Sequence, residues 1–339
     1  MERIHVKVPG EQLQDREYMK QALALAEKGH GWVNPNPMVG AVLVKDGRII
    51  GEGYHTRYGQ LHAEREAFKN AAERGEETAG ADLYVTLEPC CHTGKQPPCT
   101  EAVLASGVKR VIVGCTDPNP VVAGRGIRLL REKGLEVVAG VLRGECERQN
   151  EVFFHFMRTK LPFTVLKYAM TLDGKTATVS GKSQWITGEA ARKRVHEDRG
   201  RYMAILTGVS TVLADNPQLT CRIPGGKNPL RVIADTNLRT PLSSTVVQTA
   251  RETPTWIVTA VSDAGRKKAY EDAGCRVLSV PAKEGELDLQ AMMQRLGEEK
   301  VDSVMVESGG TLAWSFLKAG LVNRVQAYIA PKIFGGAGA

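Results

Sequence analysis

The amino-acid sequence predicts an α/β fold divided into two domains. Apolar residues recur alternately at helical and at strand-like spacing, and helices between strands indicate sheets covered by helices in layers. The chain of 339 residues is long enough for about two domains, each with its own hydrophobic core. We place the boundary near residue 145, so that the first domain spans 1–145 and the second spans 146–339.

The first half alternates helices and strands. Met19, Ala22 and Ala26 recur at helical spacing, and Gly29 follows as a stop signal. A turn signal, Asp-Gly at 46–47, predicts a hairpin between the strands on either side of it. The same reasoning predicts strands over 39–44, 48–53, 82–87, 110–114 and 137–138, and helices over 62–73, 100–106 and 126–133.

The second half repeats a strand followed by a helix. Residues 145–157 form an amphipathic segment that carries three phenylalanines, and we interpret this segment as the connection between the domains. Pro162 ends it. The strands predicted beyond this point cover 163–170, 203–206, 231–234, 256–259, 276–280 and 303–307.

The composition excludes several classes of protein. Its hydrophobic fraction of 42% and charged fraction of 24% are ordinary for globular chains. No apolar run approaches the roughly 18–20 residues of a transmembrane helix. Residues 1–7 also lack the apolar core of a signal peptide. We therefore expect a cytoplasmic protein with no membrane partner.

The net charge and the number of cysteines limit which binding partners and which kinds of structure are expected. The net charge is +7, but the lysines and arginines form no cluster interleaved with aromatic residues, so we expect no nucleic-acid partner. A mildly basic surface instead favours a phosphorylated metabolite through electrostatic steering. Seven cysteines do not make a disulfide framework in a chain of this length. We also expect a homo-oligomer.

The strongest chemical signal is a His-x-Glu…Pro-Cys…Cys pattern formed by His62, Glu64, Cys90 and Cys99. One imidazole and two thiolates leave a tetrahedral Zn²⁺ with an open position that water can fill. The metal lowers the pKa of that water, and Glu64 is close enough to carry protons without being a ligand. The pattern is the signature of zinc nucleobase deaminases, although eight residues separate Cys90 from Cys99 where the usual form has about two.

A structural zinc site is the alternative at this position. Such a site normally has four protein ligands, and Cys91 or His92 would have to supply the fourth. A fourth ligand would close the metal to water and abolish the chemistry. We therefore expect Cys91 not to be a ligand.

Several segments in one order resemble the family of bifunctional riboflavin-biosynthesis deaminases/reductases. The resemblance extends from about residue 18 to 334, and the long spacing between the two cysteines is part of it. The segments are 34–40 (NPNPMVG), 86–99 (TLEPCCHTGKQPPC), 117–126 (DPNPVVAGRG), 172–175 (LDGK), 183–187 (SQWIT) and 212–217 (VLADNP).

The resemblance implies a fold and two reactions. It implies a cytidine-deaminase-like three-layer α/β/α domain followed by a dihydrofolate-reductase-like α/β domain. The first domain would hydrolytically deaminate 2,5-diamino-6-ribosylamino-4(3H)-pyrimidinone 5′-phosphate, and the second would reduce the ribosyl chain of the product to ribityl. The implied cofactors are one Zn²⁺ per chain and NADPH, and the substrates are small phosphorylated pyrimidines.

The resemblance also implies site residues. In the first domain it places Asn36 and His92 at the pyrimidine and Lys95 near the phosphate, with His55 and Asn119 as further candidate contacts. In the second domain the glycine pair after a strand at 303–307 predicts a helix start that can hold a pyrophosphate, although an ordinary β–α turn has the same pattern. The implied cofactor contacts are Ala169, Trp185, Thr211, Asp215, Gly309, Gly310, Thr311, Leu312, Ala313, Trp314 and Ser315, and the implied substrate contacts are Lys167, Ser183, Arg199, Leu219, Arg222 and Glu307.

Two other functions compete with this interpretation. A zinc-dependent nucleic-acid base deaminase with an accessory domain would share the metal chemistry, but it does not explain the second half or the long cysteine spacing. A non-catalytic zinc-binding module would have no use for Glu64. The chain ends at 334–339 (FGGAGA), whereas members of the family usually continue, so we expect the second domain to lack its last elements.

Overall fold

The computed structural model describes residues 8–94, 96–180 and 185–336. They form two compact units, the first ending at Thr159 and the second beginning at Lys160. No helix in these ranges has the length and apolarity needed to cross a membrane.

The first unit is built on a five-stranded sheet with the order β2-β1-β3-β4-β5. Strand β1 is antiparallel to β2 and β3, whereas β3, β4 and β5 run parallel. The strands are β1 (Gly40–Lys45), β2 (Arg48–Tyr54), β3 (Asp82–Leu87), β4 (Arg110–Cys115) and β5 (Glu136–Ala139). The helices are α1 (Asp15–Glu27), α2 (Ala63–Glu73), α3 (Cys99–Ala105), α4 (Arg125–Glu132), α5 (Arg143–Gln149) and α6 (Glu151–Thr159).

Helices cover both faces of this sheet because its strands are apolar on both sides. Leu43 and Val85 face one cluster of buried residues, which includes side chains of α2, α3 and α4. Val42 and Ile112 face the other cluster, which includes side chains of α1 and α6. This three-layer α/β/α arrangement is the one predicted, and the predicted elements agree with the observed ones to within a residue or two at their ends.

The segment interpreted as an interdomain connection belongs to the first unit. It folds as two helices, α5 and α6, and Phe153 and Phe154 are buried in the same cluster as α1. Asn150, between the helices, accepts a hydrogen bond from Met38 N–H at 2.8 Å and donates one to Met38 C=O at 2.8 Å. The division of the chain therefore lies later than the predicted boundary near residue 145, because these aromatic residues pack into the first core.

The second unit is built on a seven-stranded sheet with the order β10-β9-β8-β7-β13-β6-β14. All of its neighbouring strands are parallel. The strands are β6 (Phe163–Thr171), β7 (Ala204–Gly208), β8 (Leu230–Ala234), β9 (Thr255–Thr259), β10 (Arg276–Ser279), β13 (Ser303–Glu307) and β14 (Arg324–Ala330), with a small hairpin of β11 (Ala282–Lys283) and β12 (Glu286–Leu287). The helices are α7 (Glu189–Arg201), α8 (Val209–Asp215), α9 (Thr245–Gln248), α10 (Ala264–Asp272), α11 (Leu289–Glu298) and α12 (Gly310–Lys318).

The two faces of this sheet also carry separate buried clusters. Leu206 and Val304 belong to one, together with α11 and Phe316 of α12. Ile205 and Ile233 belong to the other, together with α9 and Tyr270 of α10. Strand β14 is not among the predicted strands, and it pairs along its whole length with β6 at the edge of the sheet.

A buried arginine of strand β4, Arg110, connects the first residue of helix α1 to the sheet. The Arg110 side chain is 5% exposed, and it bonds to Asp15 Oδ2 at 3.2 Å and to Asp82 Oδ2 at 2.9 Å. Asp15 is fully buried and also accepts a hydrogen bond from Tyr84 Oη at 2.8 Å. Removing the cation would leave a buried carboxylate without its charge partner, which is costly.

We predict that Arg110→Leu destabilises the first unit by about 3–5 kcal/mol, the usual cost of breaking a buried ion pair from one side. Urea unfolding followed by circular dichroism and fitted to two transitions measures this change. The matched control is Arg48→Leu, which removes an exposed ion pair with Glu76 and should leave the transition within error. Equal effects of the two substitutions would contradict the prediction.

Candidate functional site

Three predicted ligands meet in the first unit. His62 immediately precedes α2, Cys90 follows β3, and Cys99 is the first residue of α3. Their ligand atoms all lie within 4.8 Å of one another, and among the described residues no other group of three or more His, Cys, Asp or Glu side chains is arranged in this way. Cys91 is outside the group.

The spacing of these atoms suits a zinc ion. His62 Nδ1 lies 3.2 Å from Cys99 Sγ and 3.6 Å from Cys90 Sγ. Tetrahedral zinc with ordinary Zn–N and Zn–S bond lengths would separate a ligand nitrogen from a ligand sulfur by about 3.5 Å. One imidazole and two thiols at these distances therefore fit the metal without rearrangement.

The protonation of the two thiols favours a metal cation. Hydrogen bonds from Cys99 and His62 lower the pKa of Cys90 to about 4, although burial opposes this change. The pKa of Cys99 is raised, because Cys90 accepts its hydrogen bond and because it is buried. A cation bound between the two sulfurs would stabilise both of them as thiolates.

Glu64 lies beside the ligands and inside a cavity. It is the second residue of α2 and is only 3% exposed. Burial raises the pKa of its carboxyl group, and the neighbouring Cys90 adds to this effect. The cavity has a volume of about 280 Å³. Its lining includes the predicted residues Asn36, His55, His62, Glu64, Cys90, His92 and Asn119.

His55 and Asn36 are held in a defined orientation. His55 Nδ1 lies 2.9 Å from the Leu61 carbonyl, so it must carry the hydrogen and donate it. Burial lowers the pKa of His55, which keeps the ring neutral and makes Nε2 an acceptor. Asn36 Nδ2 lies 3.2 Å from that Nε2 and donates to it. The remaining acceptor of this pair is therefore the Asn36 carbonyl oxygen.

A loop after β4 supplies another wall of the cavity. Asn119 Oδ1 accepts a hydrogen bond from Val121 N–H at 3.1 Å, which leaves the amide nitrogen of Asn119 as its free donor. Asp117 lines the cavity too, although it is not among the predicted site residues. Burial, with a contribution from Glu88, raises the pKa of Asp117 to about 6. The sequence could have indicated this residue, because Asp117 lies only two residues before the predicted contact Asn119.

A second unpredicted residue, Glu88, fastens this loop to the end of β3. Its Oε2 accepts hydrogen bonds from Asp117 N–H at 3.2 Å and Gly124 N–H at 2.8 Å. Its Oε1 accepts from Gly126 N–H at 2.9 Å and Ile127 N–H at 3.2 Å. The carboxylate thus caps the start of α4, whose own N-cap residue is a glycine without a side chain. The last predicted residue of this site, Lys95, lies outside the described residues.

The second unit contains a larger cavity of about 1010 Å³ on the face covered by α7. It brings together seven predicted residues from distant parts of the sequence. They are Lys167, Ala169, Trp185, Arg199, Asp215, Arg222 and Glu307. Parts of α7 that were not predicted, including Arg192, Lys193 and His196, also line it.

Glu307 is the charged centre of this second cavity. Arg199 donates to it from Nε at 2.7 Å and from Nη2 at 3.0 Å, and Lys167 Nζ lies 3.5 Å from Oε2. Burial alone would raise the pKa of Glu307, but Arg199 and Lys167 lower it below its usual value. The carboxylate therefore stays ionised and fixes two cations in the cavity.

Other predicted residues of the second unit lie elsewhere. The predicted strand–glycine–helix unit is present, with Gly309 as the N-cap of α12, but the segment 309–315 and Thr211 do not line this cavity. The Leu219 side chain is buried in the apolar cluster of α9 and α10, and Leu219 does not line this cavity. Ser183 lies outside the described residues. An added Cβ at Gly309 or Gly310 would meet no atom within 4 Å, so the helix start is open to a ligand.

Both halves of the chain match known family models. Residues 12–115 match the zinc-binding region of cytidine and deoxycytidylate deaminases, and residues 162–339 match the RibD C-terminal domain. Riboflavin biosynthesis protein RibD of Actinobacillus pleuropneumoniae is 51% identical over 95% of this chain and 85% of that protein. The protein of the same name from Bacillus amyloliquefaciens is 47% identical over 94% of this chain and 85% of that protein.

Solved structures agree with these relatives over the same extent. The diaminohydroxyphosphoribosylaminopyrimidine deaminase/5-amino-6-(5-phosphoribosylamino)uracil reductase of Thermotoga maritima is 42% identical and has a TM-score of 0.85, covering 96% of this chain and 89% of that one. Acinetobacter baumannii RibD is 38% identical, also with a TM-score of 0.85, covering 95% and 88%. The predicted pair of α/β domains, deaminase first and reductase second, is thereby confirmed.

We predict that Cys99→Ser loses bound zinc whereas Cys91→Ser retains it. A serine hydroxyl replaces a thiolate poorly as a zinc ligand, and Cys91 lies outside the ligand group. Metal analysis of the purified variants measures the zinc content per chain. If Cys91→Ser lost its zinc while remaining folded, the ligand set would be wrong.

Proposed function

Because the chain belongs to the RibD family of bifunctional riboflavin-biosynthesis enzymes, we propose that its two cavities are the two active sites of that family. The chain is a zinc-dependent deaminase and an NADPH-dependent reductase. The first unit would act on the diaminopyrimidinone ribosylamine 5′-phosphate, and the second on the deaminated product. We further propose that the protein acts in the cytoplasm as a homo-oligomer.

One observation carries the assignment of the first site. Two thiols and one imidazole converge at zinc-ligand distances, and a buried glutamate lines the same cavity. A zinc ion held by His62, Cys90 and Cys99 would supply an activated water molecule when bound. A structural site would need a fourth protein ligand, whereas this set leaves one position for that water.

Glu64 would move the protons in hydrolytic deamination. The oxygen of water forms a bond to the amine-bearing ring carbon, and the carbon–nitrogen bond breaks to release ammonia. Glu64 would take a proton from the attacking water and deliver it to the departing amine. Its burial beside the ligand His62 keeps it near both groups.

Asn36 and Asn119 would orient the pyrimidinone ring. The Asn36 carbonyl is left as an acceptor for a ring or exocyclic N–H, since its amide nitrogen donates to His55. The amide nitrogen of Asn119 is left as a donor for a carbonyl of the ring. His55 is 2% exposed and both of its ring nitrogens are engaged within the protein. We therefore propose that His55 acts on the substrate through Asn36 rather than by direct contact.

The cavity of the second unit would hold the phosphorylated ribosyl chain beside NADPH. The cofactor, when bound, supplies a hydride for the sugar carbon C1′. Most of the Arg199 donors are engaged by Glu307 and by the Thr220 carbonyl. Arg222 lines the cavity and, among the described residues, forms no salt bridge, so it is the better candidate for the phosphate. Lys167 would place its ammonium group next to the reacting chain.

We predict that Glu64→Gln retains zinc but loses deaminase activity by a factor of about 10²–10⁴. Glutamine keeps the shape of the side chain but cannot accept and return a proton. Ammonia release from the diaminopyrimidinone substrate, together with metal analysis, measures both properties. Full activity in a zinc-loaded Glu64→Gln enzyme would contradict the assignment, and Glu66→Gln on the same helix is the matched control.

We predict that Asp215→Ala impairs NADPH oxidation but leaves ammonia release unchanged. Asp215 lines the cavity of the second unit, and the metal ligands belong to the first. Ammonia release and NADPH absorbance are followed in separate assays, the second supplied with deaminated substrate. Loss of both activities in a folded Asp215→Ala protein would show that the two sites are not independent. If the unmodified chain released ammonia but never oxidised NADPH, the assignment of the second site would fail.

A further inference from the structure

A row of polar side chains crosses three neighbouring strands of the second unit. In the strand register, Lys167 of β6 is the partner of Glu307 on β13 and of Gln326 on β14. Register partners in parallel strands point to the same face of a sheet. Tyr328 is two residues after Gln326, and so it lies on this face as well. We call Glu307, Lys167 and Gln326 the polar row.

Two consecutive residues of helix α7, Asp198 and Arg199, bind the two ends of the polar row. Arg199 binds Glu307 through two hydrogen bonds of 2.7 and 3.0 Å. Asp198 Oδ2 accepts a hydrogen bond of 2.6 Å from Gln326 Nε2 and one of 3.3 Å from Tyr328 Oη. Consecutive residues of a helix point about 100° apart, so one turn of α7 reaches β13 on one side of Lys167 and β14 on the other.

Lys167 is therefore enclosed rather than tightly paired. Its Nζ lies 3.5 Å from Glu307 Oε2, an oxygen that already accepts a shorter bond from Arg199. On its other side the nitrogen lies 5.9 Å from the centre of the Tyr328 ring, within the range of a cation–π contact. The position of the ammonium group therefore depends on where that ring is held as well as on Glu307.

The hydroxyl group of Tyr328 fixes the ring. It donates to Asp198, which is 2% exposed, and it accepts a hydrogen bond of 2.8 Å from Gln326 Nε2. Burial and the nearby Asp198 raise the pKa of Tyr328 to about 12, so the hydroxyl keeps its proton at neutral pH. Gln326 also binds Asp198, and the three groups form a closed triangle of hydrogen bonds.

We propose that Asp198, Gln326 and Tyr328 are positioning residues of the reductase site, a role that rests on the function proposed above. They hold the Tyr328 ring against Lys167, and they fix the part of α7 that carries Arg199. They act on the substrate only through these cations. The edge strand β14 thereby contributes to a cavity that none of the three residues lines directly.

The location of this triangle favours a functional role over simple packing. The other face of β14 exposes Val325 and Ile329, so the strand does not rely on apolar burial on both sides. A closed set of polar bonds at a sheet edge specifies geometry more than it adds stability. Here the hydrogen bonds specify the position of the Tyr328 ring, which lies against the Lys167 ammonium group.

The test uses the intact chain and graded substitutions at position 328. Tyr328→Phe keeps the ring but removes the hydroxyl, and we expect kcat of NADPH oxidation to fall about tenfold. Tyr328→Leu removes the ring too, and we expect a fall of about 100-fold. The KM for NADPH should change by less than about twofold, because the loss concerns placement of the ammonium group and not cofactor binding. Gln326→Met, which fills a similar volume, should behave like Tyr328→Phe.

Two controls separate positioning from stability. Ammonia release by the same chain reports on folded protein and should not change. Tyr270→Phe removes another buried hydroxyl of the second unit, which donates to the Thr240 carbonyl at 2.7 Å. It should cost similar stability and leave kcat of reduction unchanged. Tyr328→Phe and Tyr328→Leu both lack the hydroxyl group, but only Tyr328→Phe keeps an aromatic ring. A higher kcat for Tyr328→Phe than for Tyr328→Leu would therefore support the cation–π contact.

The possible outcomes are distinct. If the unmodified chain oxidises NADPH and Tyr328→Leu has the same kcat, or loses activity only as far as Tyr270→Phe does, the positioning role is wrong. If only the KM for NADPH rises, the triangle serves cofactor binding and the proposal is also wrong. If the unmodified chain oxidises no NADPH on the deaminated substrate, the proposed function of the second site fails, and the positioning role fails with it.

Discussion

Parallel strands deliver their carboxyl ends to one edge of a sheet, and both sites depend on this constraint. In the first unit β3 and β4 are parallel neighbours, so the segment with Cys90 and the loop with Asn119 leave the sheet side by side. In the second unit Glu307 ends β13, next to Lys167 on β6. Buried apolar clusters on both faces of each sheet hold the strands in this register, because a shift by one residue would exchange the faces.

Within the first unit, the Glu88 carboxylate holds together the two segments that leave this edge of the sheet. Glu88 is 3% exposed and lies two residues before Cys90, a predicted metal ligand. By accepting four backbone hydrogen bonds from 117–127, it ties the loop with Asp117 and Asn119 to the strand end that precedes Cys90. The close approach also requires a glycine at 126, where an added Cβ would lie 2.1 Å from the Pro89 carbonyl. The segment with the predicted ligand Cys90 and the loop with Asn119 are thus connected through one side chain.

Features that depend on short stretches of sequence could be predicted from the sequence. Strands and helices of the first unit follow from hydrophobic periodicity and turn signals, and His62, Cys90 and Cys99 follow from ligand chemistry and spacing. Contacts between distant segments could not be predicted in this way. The bond between Gln326 and Asp198 joins residues 128 apart in the chain, and no local signal marks either residue. The strand β14 was missed although its sequence, RVQAYIA, alternates polar and apolar residues as a strand does. Its apolar side chains Val325 and Ile329 lie on the exposed face, which is the reverse of a half-buried strand.

The place of 145–157 illustrates the same limit. Its amphipathic pattern is correct for α5 and α6, but a pattern does not say which core receives the apolar face. Phe153 and Phe154 enter the first core, and Asn150 holds the backbone of Met38 in the segment that carries Asn36. The segment interpreted from its sequence as a connection is therefore part of the support of the first site.

The two sites use buried carboxylates in opposite electrostatic environments. Burial raises the pKa values of Glu64 and Asp117. The Glu307 side chain is 11% exposed, but Arg199 and Lys167 outweigh its partial burial and lower its pKa. A buried carboxyl group whose pKa is raised is suited to exchanging protons with a reacting group. A carboxylate locked in its ionised form is suited to holding cations in place instead. Each environment matches the chemistry of its unit, proton transfer in deamination and fixed charge around a phosphorylated chain in reduction.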